Sequence, residues 1–155
     1  MGIDVGGTTA RAVMVETGAD EVLGREVGPS SNDGPTLVET LAGLVVRLGE
    51  RTGCKAAAVG LGVAGLAHKS GVVHYSPNLP GIVEFSIGNE LQDVLGVPVV
   101  VGNDATVGTF AEWQRGAGRG VDNFALVTLG TGIGTGFVVD GHLLRGASGF
   151  AGESG

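Results

Sequence analysis

Two glycine-rich segments of the chain are candidate ligand-binding turns. The first reads DVGGTT (residues 4–9) and the second LGTGIGTG (129–136), and each lies between two apolar runs that read as β-strands. Neither matches a P-loop or a dinucleotide fingerprint. Glycine allows a turn to bring backbone N–H groups within hydrogen-bond distance of an anion. Either segment alone fits an ordinary turn, but the pair predicts phosphate binding.

Side chains beside the two turns add to the predicted phosphate site. Thr8, Thr9 and Thr131 supply hydroxyl donors, and Asp4 is suited to hold Mg²⁺ directly or through water. The backbone donors belong to the turn glycines, which are Gly6, Gly7, Gly130, Gly132 and Gly134. The sequence therefore predicts a nucleotide phosphate site with one magnesium-binding carboxylate.

A third segment, GNDA (102–105), combines polar residues at the end of an apolar strand predicted over 97–104. Ligands collect at the carboxyl ends of strands in α/β sheets. Asp104 fits a helix N-cap, but it also fits a general base that accepts the proton of an alcohol during phosphoryl transfer. Asn103 is suited to hydrogen-bond a polyol. Because the strand shows no polar alternation, we expect it to be covered on both faces.

Hydrophobic periodicity predicts the elements that position these segments. Three strands are expected within residues 1–28, followed by a helix from Pro35 to Arg51 with Thr36 and Glu39 as a capping box. Further strands, hairpins and helices alternate after it, so the predicted class is α/β. The later helices are predicted over residues 86–95 and 105–114, and a domain boundary in the glycine-rich stretch 116–120.

Composition excludes several function classes. The 155 residues carry a net charge of −7 and include a single cysteine, Cys54. An acidic chain without a basic patch is not expected to bind nucleic acid or an anionic membrane. No apolar run approaches the length of a membrane span, and a cytoplasmic location is expected. The three histidines, His68, His74 and His142, show no metal-binding spacing.

Six motifs in succession resemble the ROK family of bacterial repressors, open reading frames and sugar kinases. They read DVGGTTAR, GLGVAG, SPNLPG, GNDA, LGTGIGTG and RGASGFAGE, and they extend along the whole chain. The resemblance implies an actin-like ATPase (ribonuclease H-like) fold, in which two α/β domains close over a cleft. Residues 1–118 would form the small N-terminal domain, and 119–155 would begin the large domain.

The resemblance also implies an activity and a role for each motif. The expected reaction is that of a hexose kinase, glucokinase first, which transfers the γ-phosphoryl group of ATP to O6 of glucose with Mg²⁺. Asp104 corresponds to the catalytic base, and the two glycine turns correspond to the phosphate loops. Asn78, Asn103 and Glu153 correspond to sugar-binding residues, with Gly65 lining the pocket.

Alternatives remain open within the resemblance. A sugar-sensing repressor keeps the same fold, and kinases of fructose or N-acetylmannosamine, or a glucokinase that uses polyphosphate, share the motifs. The chain is expected to be the N-terminal half of a family member. A structural zinc site is expected in the second half alone, and a homodimer is expected for the full-length protein.

Overall fold

The computed structural model of the chain describes residues 1–19, 21–130 and 132–152. In these residues, eleven strands form three sheets, and three helices pack on them. The strands are β1 (Gly2–Val5), β2 (Thr9–Val15), β3 (Val22–Pro29), β4 (Val59–Val63), β5 (Leu66–Ala67), β6 (Val73–Tyr75), β7 (Val83–Phe85), β8 (Val99–Asn103), β9 (Phe124–Leu129), β10 (Ile133–Val139) and β11 (His142–Leu143). The helices are α1 (Gly34–Thr52), α2 (Ile87–Leu95) and α3 (Asp104–Arg115).

The largest sheet has five strands in the order β3-β2-β1-β4-β8. The first three strands form an antiparallel meander, whereas β1, β4 and β8 run parallel to one another. Parallel neighbours require crossover connections, and α1 and α2 lie on the two crossovers. The carboxyl ends of the three parallel strands lie side by side, with Val5, Val63 and Asn103 in register. The predicted α/β class is confirmed.

Helix α1 covers one face of this sheet. Leu37, Leu41, Leu44 and Leu48 recur every three or four residues and are completely buried. They pack in one cluster with alternate residues of the strands, such as Ile3. Burial of each leucine removes enough apolar surface from water to contribute about 1.5–3 kcal/mol to stability.

The start of α1 differs from the sequence prediction. The helix begins at Gly34, one residue before Pro35, and Asp33 is its N-cap. The Oδ2 atom of Asp33 accepts hydrogen bonds from the backbone N–H of Thr36 at 3.0 Å and from its hydroxyl at 2.6 Å. The predicted capping box of Thr36 and Glu39 is wrong, because the aspartate earlier in the chain already caps the helix.

We expect Asp33→Ala to lower the midpoint of thermal unfolding near pH 7, and to have a smaller effect near pH 2. The hydrogen bonds from the Thr36 hydroxyl and N–H hold the pKa of Asp33 below its ordinary value of 3.8. A depressed folded-state pKa gives stability that is complete above the ordinary pKa and is lost as pH falls through the folded pKa. Asp33→Asn is the control, because its amide keeps an acceptor that does not titrate. A loss of equal size at both pH values for Asp33→Ala would contradict this role of the carboxylate.

Strand β8 is an edge strand with one covered face, and the prediction of two covered faces is wrong. Val101 is buried in the core cluster, where α2 packs on this strand. Val100 points to the opposite face and is 59 % exposed. Its neighbour in register is Gly60, which has open space where a side chain would lie. An apolar run alone could not distinguish this arrangement from a fully buried strand.

The second sheet has the order β11-β10-β9 and packs against α3. Two glycines of β10 allow the helix to lie close. A Cβ atom at Gly134 would be 2.8 Å from the Cβ of Ala105, and one at Gly136 would collide with the hydroxyl of Thr109. Helix α3 therefore joins the two sheets, since it begins directly after β8 and its length lies on β9 and β10.

A third, small sheet has the order β5-β6-β7 and lies on the crossover between β4 and β8. Its strands have only two or three residues each. The loop after β6 carries the sequence SPNLPG (76–81), with Leu79 and Ile82 completely buried below it. Among the residues that the structure describes, no helix has both the length and the apolar character needed to cross a bilayer.

Candidate active site

A cleft of about 590 Å³ opens where three parts of the chain meet. The first wall is formed by residues at the carboxyl ends of β4 and β8. The second wall is the loop after β6, and the third is the turn between β9 and β10. The sequence-predicted residues that line the cleft are Gly65, Asn78, Asn103, Asp104, Gly130, Gly132 and Gly134.

Asp104 lies at the junction of β8 and α3 and is exposed to the cleft. It is the first residue of the helix and not its cap. Its Oδ1 atom accepts the backbone N–H of Ala105 at 2.8 Å. Among the described residues, no cation lies within ion-pair distance of this carboxylate. The other oxygen, Oδ2, is therefore available to accept a proton from a molecule in the cleft.

Asn103 caps α3 and is almost completely buried, with 7 % exposure. Its Oδ1 atom accepts the N–H of Thr106 at 3.0 Å, and its Nδ2 group donates to the carbonyl oxygen of Gly65 at 3.2 Å. The side chain thus ties the start of α3 to the end of β4. Because both ends of the amide bond to protein, only the second Nδ2 proton and the second Oδ1 lone pair remain for a ligand.

Gly65 follows β4 with φ of +114°, a conformation that side chains rarely adopt. A Cβ atom there would collide with the carbonyl oxygen of Tyr75 and lie 2.8 Å from the Cα of Ser76. The missing side chain therefore allows the loop after β6 to pack directly on the end of β4. This close packing places two walls of the cleft against each other.

Asn78 lies in the loop after β6, where it is exposed and lines the cleft. The first glycine turn packs behind it, because a Cβ atom at Gly7 would be 2.8 Å from the carbonyl oxygen of Asn78. The DVGGTT turn and the SPNLPG loop are therefore in contact. A residue larger than glycine at position 7 would push the two segments apart.

The second glycine turn contains glycines of two kinds. A Cβ atom at Gly130 or Gly132 would meet nothing within 4 Å, so both positions border open space. Gly134 lines the cleft with its backbone, but the side of it that lacks a Cβ faces Ala105 of α3. Gly130 and Gly132 thus leave room for a ligand, whereas the missing side chain of Gly134 makes room for both Thr128 of β9 and Ala105 of α3.

The first glycine turn lies beside the cleft and is not part of its lining. The N–H of Gly6 donates to the carbonyl oxygen of Thr9 at 3.0 Å, which closes the turn. The hydroxyl groups of Thr8 and Thr9 are 3.5 Å apart. Asp4 is exposed near the end of β1, with an oxygen 3.7 Å from the guanidinium of Arg11. It is in register with Gly62 of β4, which pairs in turn with Gly102 of β8, so it lies about 10 Å from the start of GNDA.

Two predicted site residues, Thr131 and Glu153, lie outside the described residues. Other residues of the cleft were not found by sequence reasoning. Tyr75 lines the second wall and is 49 % exposed, and Thr128 lines the third wall. A tyrosine directly before SPNLPG was a possible signal, since exposed aromatic rings are common in ligand sites.

A meander followed by parallel strands in this order, with a second sheet across a cleft, defines the actin-like ATPase fold. The sequence profile of the ROK family matches residues 1–155. The chain belongs to the ROK family.

Comparison with individual proteins agrees with the family. A glucokinase of Halalkalibacterium halodurans is 34 % identical over 160 residues, which cover 100 % of this chain and 48 % of that protein. The crystal structure of a ROK family glucokinase from Streptomyces griseus, in complex with glucose and AMPPNP, superposes with a TM-score of 0.89 at 32 % identity and covers 98 % of this chain and 48 % of that one. The xylose repressor of Bacillus subtilis is 36 % identical over 97 residues, or 63 % of this chain and 25 % of the repressor. This chain therefore spans about half the length of the glucokinases that it matches.

Proposed function

We propose that this chain carries the sugar-binding and catalytic half of an ATP-dependent hexose kinase whose substrate is glucose. The observation that carries the proposal is the position of Asp104. Its exposed carboxylate faces a cleft between a polar loop and a glycine-rich turn. An acceptor alcohol and a phosphoryl donor need such an arrangement of base and anion-binding backbone. Glucokinases with the same fold and about a third of residues identical support the choice of reaction and sugar.

In the proposed reaction, Asp104 accepts the proton of the sugar 6-hydroxyl as O6 attacks the γ-phosphorus of ATP. The bond from that phosphorus to the bridging oxygen breaks, and ADP leaves. The Ala105 N–H holds one carboxylate oxygen at 2.8 Å, which fixes the orientation of the other. Asp104 also lies at the positive end of the α3 dipole, which stabilises negative charge beside it.

The phosphates of ATP would lie along the two glycine turns. In the second turn, the N–H of Gly130 already donates to the carbonyl oxygen of Gly132 at 3.0 Å, so the N–H of Gly132 is the candidate donor there, with Thr131 directly before it. The N–H of Gly6 already closes the first turn, so Gly7 and Thr8 are the candidate donors there, with Thr9 beside them. Backbone donors suit phosphates because successive N–H groups of a turn can point at the same anion.

Asp4 fits the expected Mg²⁺, because Mg²⁺ binds through one or two carboxylates and completes its shell with water and phosphate oxygens. The Asp4 carboxylate is 60 % exposed, and its ion pair with Arg11 is long and solvent-accessible. Such an ion pair contributes little free energy, so breaking it to bind Mg²⁺ would cost little. The ion, when bound, would neutralise charge on the transferred group. Within the described residues, no group of three or more metal-binding side chains is present.

Glucose would bind between Gly65, Asn78 and Asn103, with Glu153 as a further ligand. Hydroxyl groups of a neutral sugar are bound by amide and carboxylate groups, and Asn78 is exposed at the cleft. Asn103 would add its remaining donor and acceptor. Tyr75 extends the same wall and offers an apolar surface to the sugar ring.

A sugar-sensing repressor is the second candidate, because the xylose repressor of Bacillus subtilis matches 97 residues of the chain. A sensor would bind sugar in the same cleft without transferring phosphate. The presence of Asp104 and of two glycine turns favours the kinase. Kinases of other sugars and polyphosphate as donor are further possibilities within the family. We also propose the domain boundary between residues 118 and 119, a homodimer for the full-length protein and a cytoplasmic location.

The test combines binding with turnover. We expect glucose to shift the amide NMR signals of Asn78 and Asp104, and AMPPNP to shift those of Gly130 and Gly132. We then expect ADP release from MgATP that depends on glucose, when this chain is fused to the second half of the Streptomyces griseus glucokinase. Mannose, fructose, N-acetylmannosamine and polyphosphate are compared in the same assay. Sugar binding without turnover in the fusion would favour the sensor, and binding of neither ligand would contradict both.

A further inference from the structure

The segment 148–152, which directly precedes Glu153, carries an aromatic side chain that is seated between two histidines. The ring of Phe150 lies 6.0 Å from that of His68 and 5.5 Å from that of His74, with interplanar angles of 63° and 79°. The two histidine rings are 5.6 Å apart at 79°. All three pairs are edge-to-face contacts, a favourable geometry for aromatic rings. We call Phe150, His68 and His74 the Phe150 clamp.

Hydrogen bonds hold both histidine rings in place. His74 donates from Nδ1 to the two carboxylate oxygens of Glu84 at 2.7 and 2.8 Å. Glu84 has φ of +50°, in the left-handed region, so its backbone is strained where it holds this ring. The Nδ1 atom of His68 instead accepts the N–H of Ser70 at 3.1 Å. Both histidine rings are therefore held by hydrogen bonds that do not involve Phe150.

Backbone contacts tie the same segment to two different sheets. The N–H of Lys69, after β5 of the small sheet, donates to the carbonyl oxygen of Ser148 at 3.1 Å. At the other end, the hydroxyl of Thr135 in β10 donates to the carbonyl oxygen of Gly152. The segment thus spans the gap between the small sheet and the second sheet.

Two glycines of the segment permit this close fit. Gly149 has φ of +105°, and a Cβ atom there would be 3.1 Å from the carbonyl oxygen of Ala67. Gly152 has φ of +100°, and a Cβ atom there would collide with the carbonyl oxygen of Thr135. Backbone this tightly packed transmits a displacement of Phe150 to the residues on either side of it in the chain.

We propose that Phe150 is a positioning residue: seated between His68 and His74, it holds residues 148–152 across the two sheets and thereby sets the affinity of the cleft for its sugar. The inference rests on the proposed function, because the next residue, Glu153, is a proposed sugar ligand. The inference concerns the binding of sugar and not the binding of nucleotide. The segment meets the second glycine-rich segment at Thr135 of β10, beyond Gly130 and Gly132, so we expect the affinity for nucleotide to depend on it less than the affinity for sugar.

The test compares Phe150→Ala, the conservative Phe150→Tyr and a matched control, Phe110→Ala, in the whole chain. Phe110 is also a partly exposed aromatic residue in an edge-to-face contact, with Trp113 at 6.3 Å, but it lies on α3. Three quantities are measured: hydrogen exchange of the Lys69 amide, the dissociation constant of glucose and that of AMPPNP. Should Phe150→Ala fail to fold, His68→Leu removes one side of the seat and carries the same prediction.

For Phe150→Ala we expect Lys69 exchange and the glucose dissociation constant each to rise about tenfold, while AMPPNP binding changes by less than about twofold. Phe150→Tyr and Phe110→Ala should leave all three near the original values. Faster exchange with unchanged glucose binding would overturn the positioning role, and unchanged exchange would overturn the clamp itself. Absence of glucose binding by the original chain would instead overturn the proposed function and with it the positioning role, and exchange at Lys69 would still decide the clamp.

Discussion

Replacing Asp104 by asparagine is expected to lower glucose-dependent ADP release by about 10²–10⁴-fold, the usual contribution of a general base. Glucose and AMPPNP should still bind with nearly unchanged affinity. Asparagine has the shape of aspartate, and its Oδ1 atom can still accept the Ala105 N–H that now bonds to the carboxylate at 2.8 Å. The substitution therefore removes the proton acceptor and leaves the start of α3 intact.

The matched control for Asp104→Asn is Asp93→Asn, which changes an exposed aspartate near the end of α2. It should leave turnover unchanged. Both variants are assayed in the fusion used for the proposed function, and their thermal unfolding is compared with that of the unaltered protein. Turnover by Asp104→Asn above about a tenth of the original rate would exclude Asp104 as the base, since the loss would be smaller than proton transfer normally contributes.

Replacing Asn103 by alanine is expected to destabilise the chain by about 2–4 kcal/mol. Loss of a helix N-cap costs about 0.5–2 kcal/mol, and leaving a partly buried carbonyl oxygen without its donor costs about 1–3 kcal/mol. Both losses occur here, because the Asn103 amide caps Thr106 and also bonds to the carbonyl oxygen of Gly65. Urea unfolding measures the difference in free energy.

Asn103→Asp separates the two contributions. The aspartate keeps an oxygen for the Thr106 N–H but has no N–H for the Gly65 carbonyl oxygen, and it places a charge beside that oxygen. It should therefore keep the capping contribution and lose the tie to β4. Asn89→Ala, on the exposed face of α2, serves as the control. Equal stability of Asn103→Ala and the unaltered chain would show that neither hydrogen bond contributes.

The helices could be predicted from the sequence to within one or two residues. Leu37, Leu41, Leu44 and Leu48 mark one face of α1 directly, because helical periodicity depends on near neighbours in the chain. The cap was harder to predict. Thr36 and Glu39 have the right spacing for a capping box, yet the Thr36 hydroxyl donates its hydrogen bond to Asp33. Both Asp33 and Thr36 are possible N-caps by sequence. Which of them caps the helix depends on the backbone geometry at the start of α1, which residue spacing does not reveal.

Features that depend on distant contacts could not be predicted. The small sheet consists of strands too short for any periodicity, and its pairs, such as Val73 with Phe85, form only when the crossover folds. Exposure of Val100 follows from the edge position of β8, which a single apolar run does not reveal. The Phe150 clamp likewise joins residues about eighty positions apart, and histidine spacing along the chain gave no signal for it.

Much of the candidate site was predicted, and the fold brings seven of its residues to one cleft. The sequence identified which types of residue were present but not how each was already engaged. Asn103 reads as a free polyol ligand, whereas most of its amide is bonded to protein. Gly134 reads as part of a phosphate loop, whereas its missing side chain makes room for Ala105.

The attachment of α3 has a mechanical consequence. Asn103 belongs to β8 of the first sheet, while the body of the helix that starts at Asp104 rests on β9 and β10 of the second sheet. A change in the angle between the two sheets would bend the chain at the junction of these two residues. Displacement grows with distance from such a pivot, so Asp104 would stay almost still, while the end of β10 near Val139, beyond Gly134 and Gly136 along α3, would travel furthest. The proposed base thus sits where an opening or closing motion disturbs it least.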